Sequence, residues 1–232
     1  MKTPTYKDYL EGTARVLAES QEKGTHYVGF RGKSLIVRPN VFSPKYFHDS
    51  HFFANKIPIT PGQSFFEVGP GTGIASISAA LNGAKRVFAI DSNSDAVKNT
   101  QENARRYGVQ DKIEVHHGNL FTIYDEGEIT EKFDSIFWNV PFGFIRESKQ
   151  LTPLEEAVID PFYGKITKFV ETAPDHLNPE GHLYIGFSNT LGFPLLLKTI
   201  LSENGFDYDI IAKTKSKEVH PVTFELYEAK LN

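Results

Sequence analysis

Phe65-Phe66-Glu67-Val68-Gly69-Pro70-Gly71-Thr72-Gly73 carries an apolar run directly into three glycines at alternate positions. The run lacks the in-out alternation of a half-exposed strand, which predicts a strand covered on both faces, as in a parallel sheet. Residues 74–81 continue as a helix. Glycines let the backbone reverse sharply and approach a ligand closely, and the first turn of a helix leaves N–H groups unpaired. A dinucleotide site wants a further glycine three positions after Gly71, where Ile74 stands. A tight turn that only packs helix on strand is the competing reading.

Outward from this turn the chain alternates. Residues 86–90 read as a strand, Asp91-Ser92-Asn93-Ser94 as the cap of a helix reaching about 107, and 113–115 and 133–138 as further strands. A helix over about 166–177, a turn at Asn178-Pro179-Glu180-Gly181, a strand at 183–187 and a helix over about 194–203 follow. Residues 208–212 and 223–229, joined by a short polar connection, suggest an antiparallel hairpin. Upstream, Tyr6, Tyr9, Leu10, Thr13, Val16 and Leu17 recur at helical spacing over about 5–22, and 26–30 with 34–37 flank Arg31-Gly32-Lys33 as a second hairpin. The order predicts a doubly wound α/β fold whose mostly parallel seven-stranded sheet is closed at one edge by a reversed strand. Residues 1–55 form the helix, hairpin and a covering segment, and 56–232 the main domain.

Composition sets the class. With 232 residues, 40% of them hydrophobic, there is material for one α/β domain with a full core and a short appendage. A formal charge of −4 provides no global positive field to concentrate nucleic acid or an anionic membrane. The absence of cysteine excludes disulfides, thiolate ligands and cysteine nucleophiles. The opening stretch carries Tyr and Asp where a signal peptide needs an apolar run, and no stretch approaches the ~18 apolar residues of a membrane span, so a cytoplasmic location is expected. His48 with His51, or His116 with His117, could be imagined as metal ligands; surface or hydrogen-bonded roles account for them better, and no metal is expected. The aromatic residues of the preface, among them Tyr27, Phe30, Phe47, Phe52 and Phe53, are read as packing onto the sheet. Arg146 and the Lys213, Lys215, Lys217 run are read as solvated, and 143–160 as a loop or lid over an acceptor pocket.

Two further features bear on chemistry. Asp91 stands at the end of its strand about twenty residues past the glycine turn, where a carboxylate can accept both hydroxyl protons of a ribose. Trp138-Asn139-Val140-Pro141-Phe142 ends the fourth strand at the edge where ligands of open α/β sheets bind.

The Glu67 to Gly73 turn resembles motif I of the class I S-adenosylmethionine-dependent methyltransferases. The resemblance implies a Rossmann-like methyltransferase fold, S-adenosyl-L-methionine as cofactor, and Glu67, Gly69, Gly71, Gly73, Asp91 and Ser92 as residues that bind it. His117-Gly118-Asn119-Leu120-Phe121 resembles the segment in which the family commonly binds the adenine amino group through an Asp. Here Asn119 offers an amide oxygen instead, beside Leu120. Asn139-Val140-Pro141-Phe142 resembles the Asn-Pro-Pro-aromatic motif of methyltransferases acting on nitrogen in planar groups, with Val140 where proline is usual. By that resemblance Asn139 and the carbonyl of residue 140 accept the N–H groups, Pro141 shapes the turn, Phe142 stacks, and Asn139 also borders the cofactor. Gly32 to Asp49-Ser50 and Asp160 to Gly181 extend the likeness, over about residues 25–190, to HemK-type protein-glutamine methyltransferases and related small-domain ribosomal RNA guanine methyltransferases. The expected acceptor is a protein side chain first, with an RNA guanine, a small molecule, or a catalytically silent cofactor-binding module as alternatives.

Overall fold

A computed structural model describes residues 11–14, 18, 19, 21–46, 48–120, 122, 131–216 and 222–232. Of the helix expected over 5–22, residues 11–14, 18, 19, 21 and 22 are helical, whereas Tyr6, Tyr9, Leu10, Val16 and Leu17 lie outside the described residues. Phe47, Phe121 and Lys217 also lie outside them.

The preface hairpin pairs β1 (His26–Phe30) with β2 (Lys33–Val37) in antiparallel register through Arg31 and Gly32, both at positive φ. Helix α1 (Asp49–Lys56) precedes the alternating core of β3 (Ser64–Val68), α2 (Ile74–Leu81), β4 (Arg86–Asp91), α3 (Ser94–Tyr107), β5 (Ile113–His117) and β6 (Phe133–Asn139). Next come β7 (Gly143–Ile145), α4 (Pro153–Glu156), β8 (Ile159–Pro161), α5 (Gly164–His176), β9 (Leu177–Ser188), α6 (Pro194–Glu203), β10 (Phe206–Lys215) and β11 (Thr223–Leu231).

The main sheet has seven strands in the order β10-β11-β9-β6-β3-β4-β5. Strands β9, β6, β3, β4 and β5 are parallel. Residues on the two faces of β3, β4, β6 and β9 are buried in separate clusters. Phe66, Phe133 and Trp138 pack with α5 and α6 on one face, and Phe65 and Phe137 with α1 and α2 on the other. Burial on both sides is why these strands read as unbroken apolar runs.

Three expectations are corrected. The reversed strand does not close an edge: β11 lies between β9 and β10, antiparallel to both, and β10 is the edge. The burial pattern gives the reason. Strand β11 buries Phe224, Leu226, Tyr227 and Ala229, while β10 exposes most of its residues and carries the charges that suit an unpaired edge. Second, 143–160 is not a bare loop: β7 and β8 pair in parallel, and α4 opens with a capping box between Thr152 and Glu155. Third, the expected turn at 178–181 lies within β9, where the register against β6 shifts between Phe133 and Ser135. Glu180 there takes φ 63°, and Asn178 Nδ2 donates to Asp134 Oδ1 at 2.8 Å.

Helix α3 ties the preface to the glycine turn through a polar face. Asn103 Oδ1 accepts from Ile36 N at 2.8 Å, and its Nδ2 donates to Ile36 O at 2.8 Å and Thr72 O at 2.9 Å. Asn99 Oδ1 accepts from Arg38 N at 2.7 Å, and Thr100 Oγ1 donates to Gly71 O at 3.0 Å. All three side chains belong to fully buried residues. Asn103→Ala strands Ile36 N and leaves Thr72 O short of a donor, so we expect a loss of about 2–3 kcal/mol of stability, read as a lower urea midpoint.

Candidate active site

The carboxyl ends of β3, β4 and β6 meet where the chain switches from one side of β3 to the other. This is the position at which open α/β sheets bind ligands. A cavity of about 1070 Å³, open mouth included, occupies it. Its floor is the glycine turn with Asp91, Ser92, Asn119, Leu120, Asn139 and Pro141; its other walls come from Phe42, Pro44 and Ser50 of the preface and from Leu154, Glu156 and Lys165.

Each glycine of the turn has a different task. Gly69, Gly71 and Gly73 have φ of 63°, 56° and 79°, a region that disfavours any side chain with a Cβ. A Cβ on Gly69 would stand 3.2 Å from Trp138 Nε1, whereas one on Gly71 would enter open space beside the cavity. Gly73 does not line the cavity: it begins α2, and a Cβ there would come within 2.7 Å of Thr100 Cγ2. Its visible contribution is the close approach of α2 to α3.

Asp91 ends β4 and is not the helix cap. Asn93 caps α3, its side chain accepting from Asp95 N at 3.0 Å. Asp91 instead braces the turn, Oδ2 accepting from Gly71 N at 3.1 Å and Oδ1 from Asn93 N at 2.9 Å. Burial pushes its carboxyl above the usual range, against the pull of these N–H groups and of His117. Glu67, 4% exposed, accepts from Ser76 N at 2.7 Å and from the Ser76 hydroxyl. Burial pushes Glu67 up to about 7; the Ser76 bonds oppose this and the nearby Asp91 charge adds to it.

Asn119 is an exposed wall residue whose backbone N–H donates to Thr122 Oγ1 at 3.1 Å, and Leu120 follows at φ 48°. Asn139 reaches the cavity from the end of β6, its Nδ2 donating to Asp49 Oδ2 at 2.9 Å. Its Oδ1 is buried without a hydrogen-bond partner among the described residues. Phe142 departs from expectation. It does not line the cavity, because its ring packs 6.2 Å from both Phe187 and Phe224, and its carbonyl accepts from Tyr163 Oη at 2.7 Å. Aromatic lining comes from Phe42, Phe53, Phe137 and Trp138.

Reading of the sequence missed Asp49 and the Glu156–Lys165 pair, whose Oε2 and Nζ are 3.1 Å apart at the cavity. Asp49 stood in view only as part of a resembling segment, and no local pattern links it to a residue 90 positions away. Of the histidines considered as metal ligands, His116 and His117 make other bonds. His116 Nε2 lies 2.8 Å from Glu114 Oε1, and His117 Nε2 lies 3.1 Å from Ser92 O. Lys213 pairs with Glu225 at 2.7 Å, and the Arg146 guanidinium lies over the Phe144 ring. Among the described residues no helix is long and apolar enough to cross a membrane.

Known proteins are similar to this chain. Residues 54–151 match the family described as ribosomal protein L11 methyltransferase (PrmA). A protein of Methanocaldococcus jannaschii, provisionally named a protein N5-glutamine methyltransferase, is 28% identical over 193 residues, 81% of this chain and 92% of its own length. These likenesses support a class I methyltransferase. The L11 methyltransferase of Desulforamulus reducens is 45% identical over 82 residues, 35% of this chain, which therefore spans only 25% of that relative's length. A crystal structure of the ribosomal protein L11 methylase from Lactobacillus delbrueckii subsp. bulgaricus shares the fold, with a TM-score of 0.53 and 20% identity over 77% of this chain and 76% of the other.

The raised Glu67 pKa fixes the sign of a pH effect. Between the ordinary value of 4.5 and about 7 the folded protein holds a proton that the unfolded chain has released. The Glu67 contribution to stability is therefore full at low pH and is lost as pH rises through that window. Urea unfolding of Glu67→Gln beside the parent protein across this range should show the parent losing stability relative to the variant as pH rises.

Proposed function

We propose that this chain transfers a methyl group from S-adenosylmethionine to a nitrogen that carries hydrogen, in an amide, an amine or a planar amino group, with a protein side chain as the first choice. The observation that carries this reading is Asn139 Oδ1, a buried acceptor without a partner at the carboxyl edge of the sheet. A buried acceptor left unpaired is costly, and a donor delivered by a ligand removes that cost. Supporting the protein choice are the names of two relatives, one for ribosomal protein L11 and one for protein glutamine.

The residues present fit the donor. The glycine turn exposes backbone beside the cavity, and Asp91, which lines it beside Ser92, would accept the ribose hydroxyls. Asn119 would accept from the adenine amino group, Leu120 would cover the base, and Glu67, once ionised above about pH 7, would add negative charge under the turn. S-adenosylmethionine supplies an electrophilic methyl on a sulfonium. Asn139 Oδ1 and the Val140 carbonyl would accept the N–H groups of the acceptor and aim its lone pair along the line of displacement; Val140 N is held by Gly186 O at 3.2 Å. Pro141 gives the turn its wall in the cavity. With the donor bound, a C–N bond would form as the C–S bond breaks with its electron pair left on sulfur, and the nitrogen would lose its proton to solvent. Positioning and charge placement provide the acceleration.

The test is incubation with methyl-labelled S-adenosylmethionine and a cell extract separated into protein, RNA, DNA and small-molecule fractions. Label in the protein fraction is expected; label in RNA or small molecules would refute the first-choice acceptor, and none anywhere would refute the transfer. Asn139→Ala should bind the cofactor normally and lose at least about a hundredfold in transfer. Asp91→Ala should weaken S-adenosylmethionine binding by about ten- to a hundredfold in calorimetry, and unchanged affinity would remove Asp91 from the ribose role.

A further inference from the structure

Transfer to a nitrogen that carries hydrogen, the reading on which this inference rests, requires Asn139 to show its carbonyl and not its NH2 to the acceptor. An asparagine amide has nearly the same shape either way, so half a turn about its last bond exchanges acceptor for donor. Packing alone cannot choose between the two. A charged partner can.

That partner is Asp49, the first residue of α1, which is 2% exposed. Burial raises the Asp49 carboxyl while the bond from Asn139 opposes the rise, and in its ionised form the group only accepts hydrogen bonds, so it takes the Nδ2 side of the amide and rejects the oxygen side. Its Oδ2 accepts from Asn139 Nδ2 at 2.9 Å, and the second oxygens of both groups, Asn139 Oδ1 and Asp49 Oδ1, are buried without a hydrogen-bond partner among the described residues. Asp49 itself is not a cavity wall, whereas Asn139 and Ser50 are, so it acts from behind the asparagine.

The fold holds Asp49 there by a close fit one helical turn away. Gly186 of β9 is the register partner of Asn139 in β6. A Cβ on Gly186 would lie 2.7 Å from Phe53 Cε2, so the missing side chain is what admits the Phe53 ring. Phe53, 1% exposed, lies four residues after Asp49 and hence on the same face of α1. Seating Phe53 against Gly186 sets Asp49 against Asn139. The Ser78 hydroxyl, donating to Ala54 O, fixes α1 from its other side.

We propose that Asp49 is a positioning residue whose carboxylate locks the Asn139 amide with Oδ1 toward the methyl acceptor, and so selects acceptors that bring an N–H bond. The test uses the full chain labelled with nitrogen-15, with the Asn139 side-chain amide signal identified by its loss in Asn139→Asp. In Asp49→Ala we expect the Asn139 Nδ2 protons to exchange with solvent at least about tenfold faster than in the parent. In the same variant kcat for the labelled fraction should fall about ten- to a hundredfold while the Kd for S-adenosylmethionine changes by less than about threefold. Asp49→Asn keeps one acceptor oxygen but can also offer an NH2, so its kcat should fall between the two; it also stands in should the alanine variant not fold. Unchanged Asn139 exchange in both variants overturns the proposal. So does a parallel fall in kcat, cofactor affinity and melting temperature, which would mark Asp49 as merely structural. If the parent protein labels no fraction, the transfer reading fails, while the exchange comparison still decides whether Asp49 orients Asn139.

Discussion

A turn that must stay bare toward a ligand has to be held from behind, and here α3 does the holding. Asn103 bonds to Ile36 of the preface and to Thr72 of the glycine turn, and Thr100 reaches Gly71. Asp91 closes the loop by accepting from Gly71 N. The backbone of the turn is thus fixed by side chains that leave its cavity side open. Because the same helix face grips β2 through Asn99 and Asn103, the segment lining the opposite wall is registered to the turn by shared residues. Gly73 completes this arrangement by letting α2 come close to Thr100.

Much of the fold was legible because parallel strands buried on both faces leave an unmistakable local trace. The Phe65 to Val68 run, the glycines after it and Asp91 at the end of the next strand are all near neighbours in sequence, and each lies where its pattern implied. What could not be read depends on distant partners. Strand β11 is interior because α6 carries the chain past an empty slot that β11 then fills, which no local pattern encodes, although its apolar run beside the polar β10 hinted at it. Phe142 looked like a stacking platform because its motif position suggested one, yet Phe187 and Phe224 claim its ring. Asp49 was invisible for the same reason: its meaning comes from Asn139.

Around the cavity three carboxyls, Asp49, Glu67 and Asp91, are all held above their ordinary range, chiefly by burial. Burying acids that lack full compensation costs stability, and a cationic ligand recovers part of that cost by favouring their ionised forms. The donor proposed for this site carries a sulfonium and an ammonium, so the charge of the walls and of the ligand are complementary. The methylated product of transfer leaves behind a donor that has lost the sulfonium charge, which weakens the same attraction and favours its exchange.

The inward position of β11 also has a consequence for how the chain reaches its native state. Strands β9 and β10 form neighbouring parts of the sheet without touching; each keeps an open edge until β11 enters between them and bonds to both. Sheet growth therefore cannot proceed in the order of the chain. A species with everything but β11 in place exposes two rows of unpaired N–H and C=O groups facing the same gap, the arrangement most prone to recruit a strand from another molecule. Refolding competes with self-association at this step, and protein concentration sets which one wins.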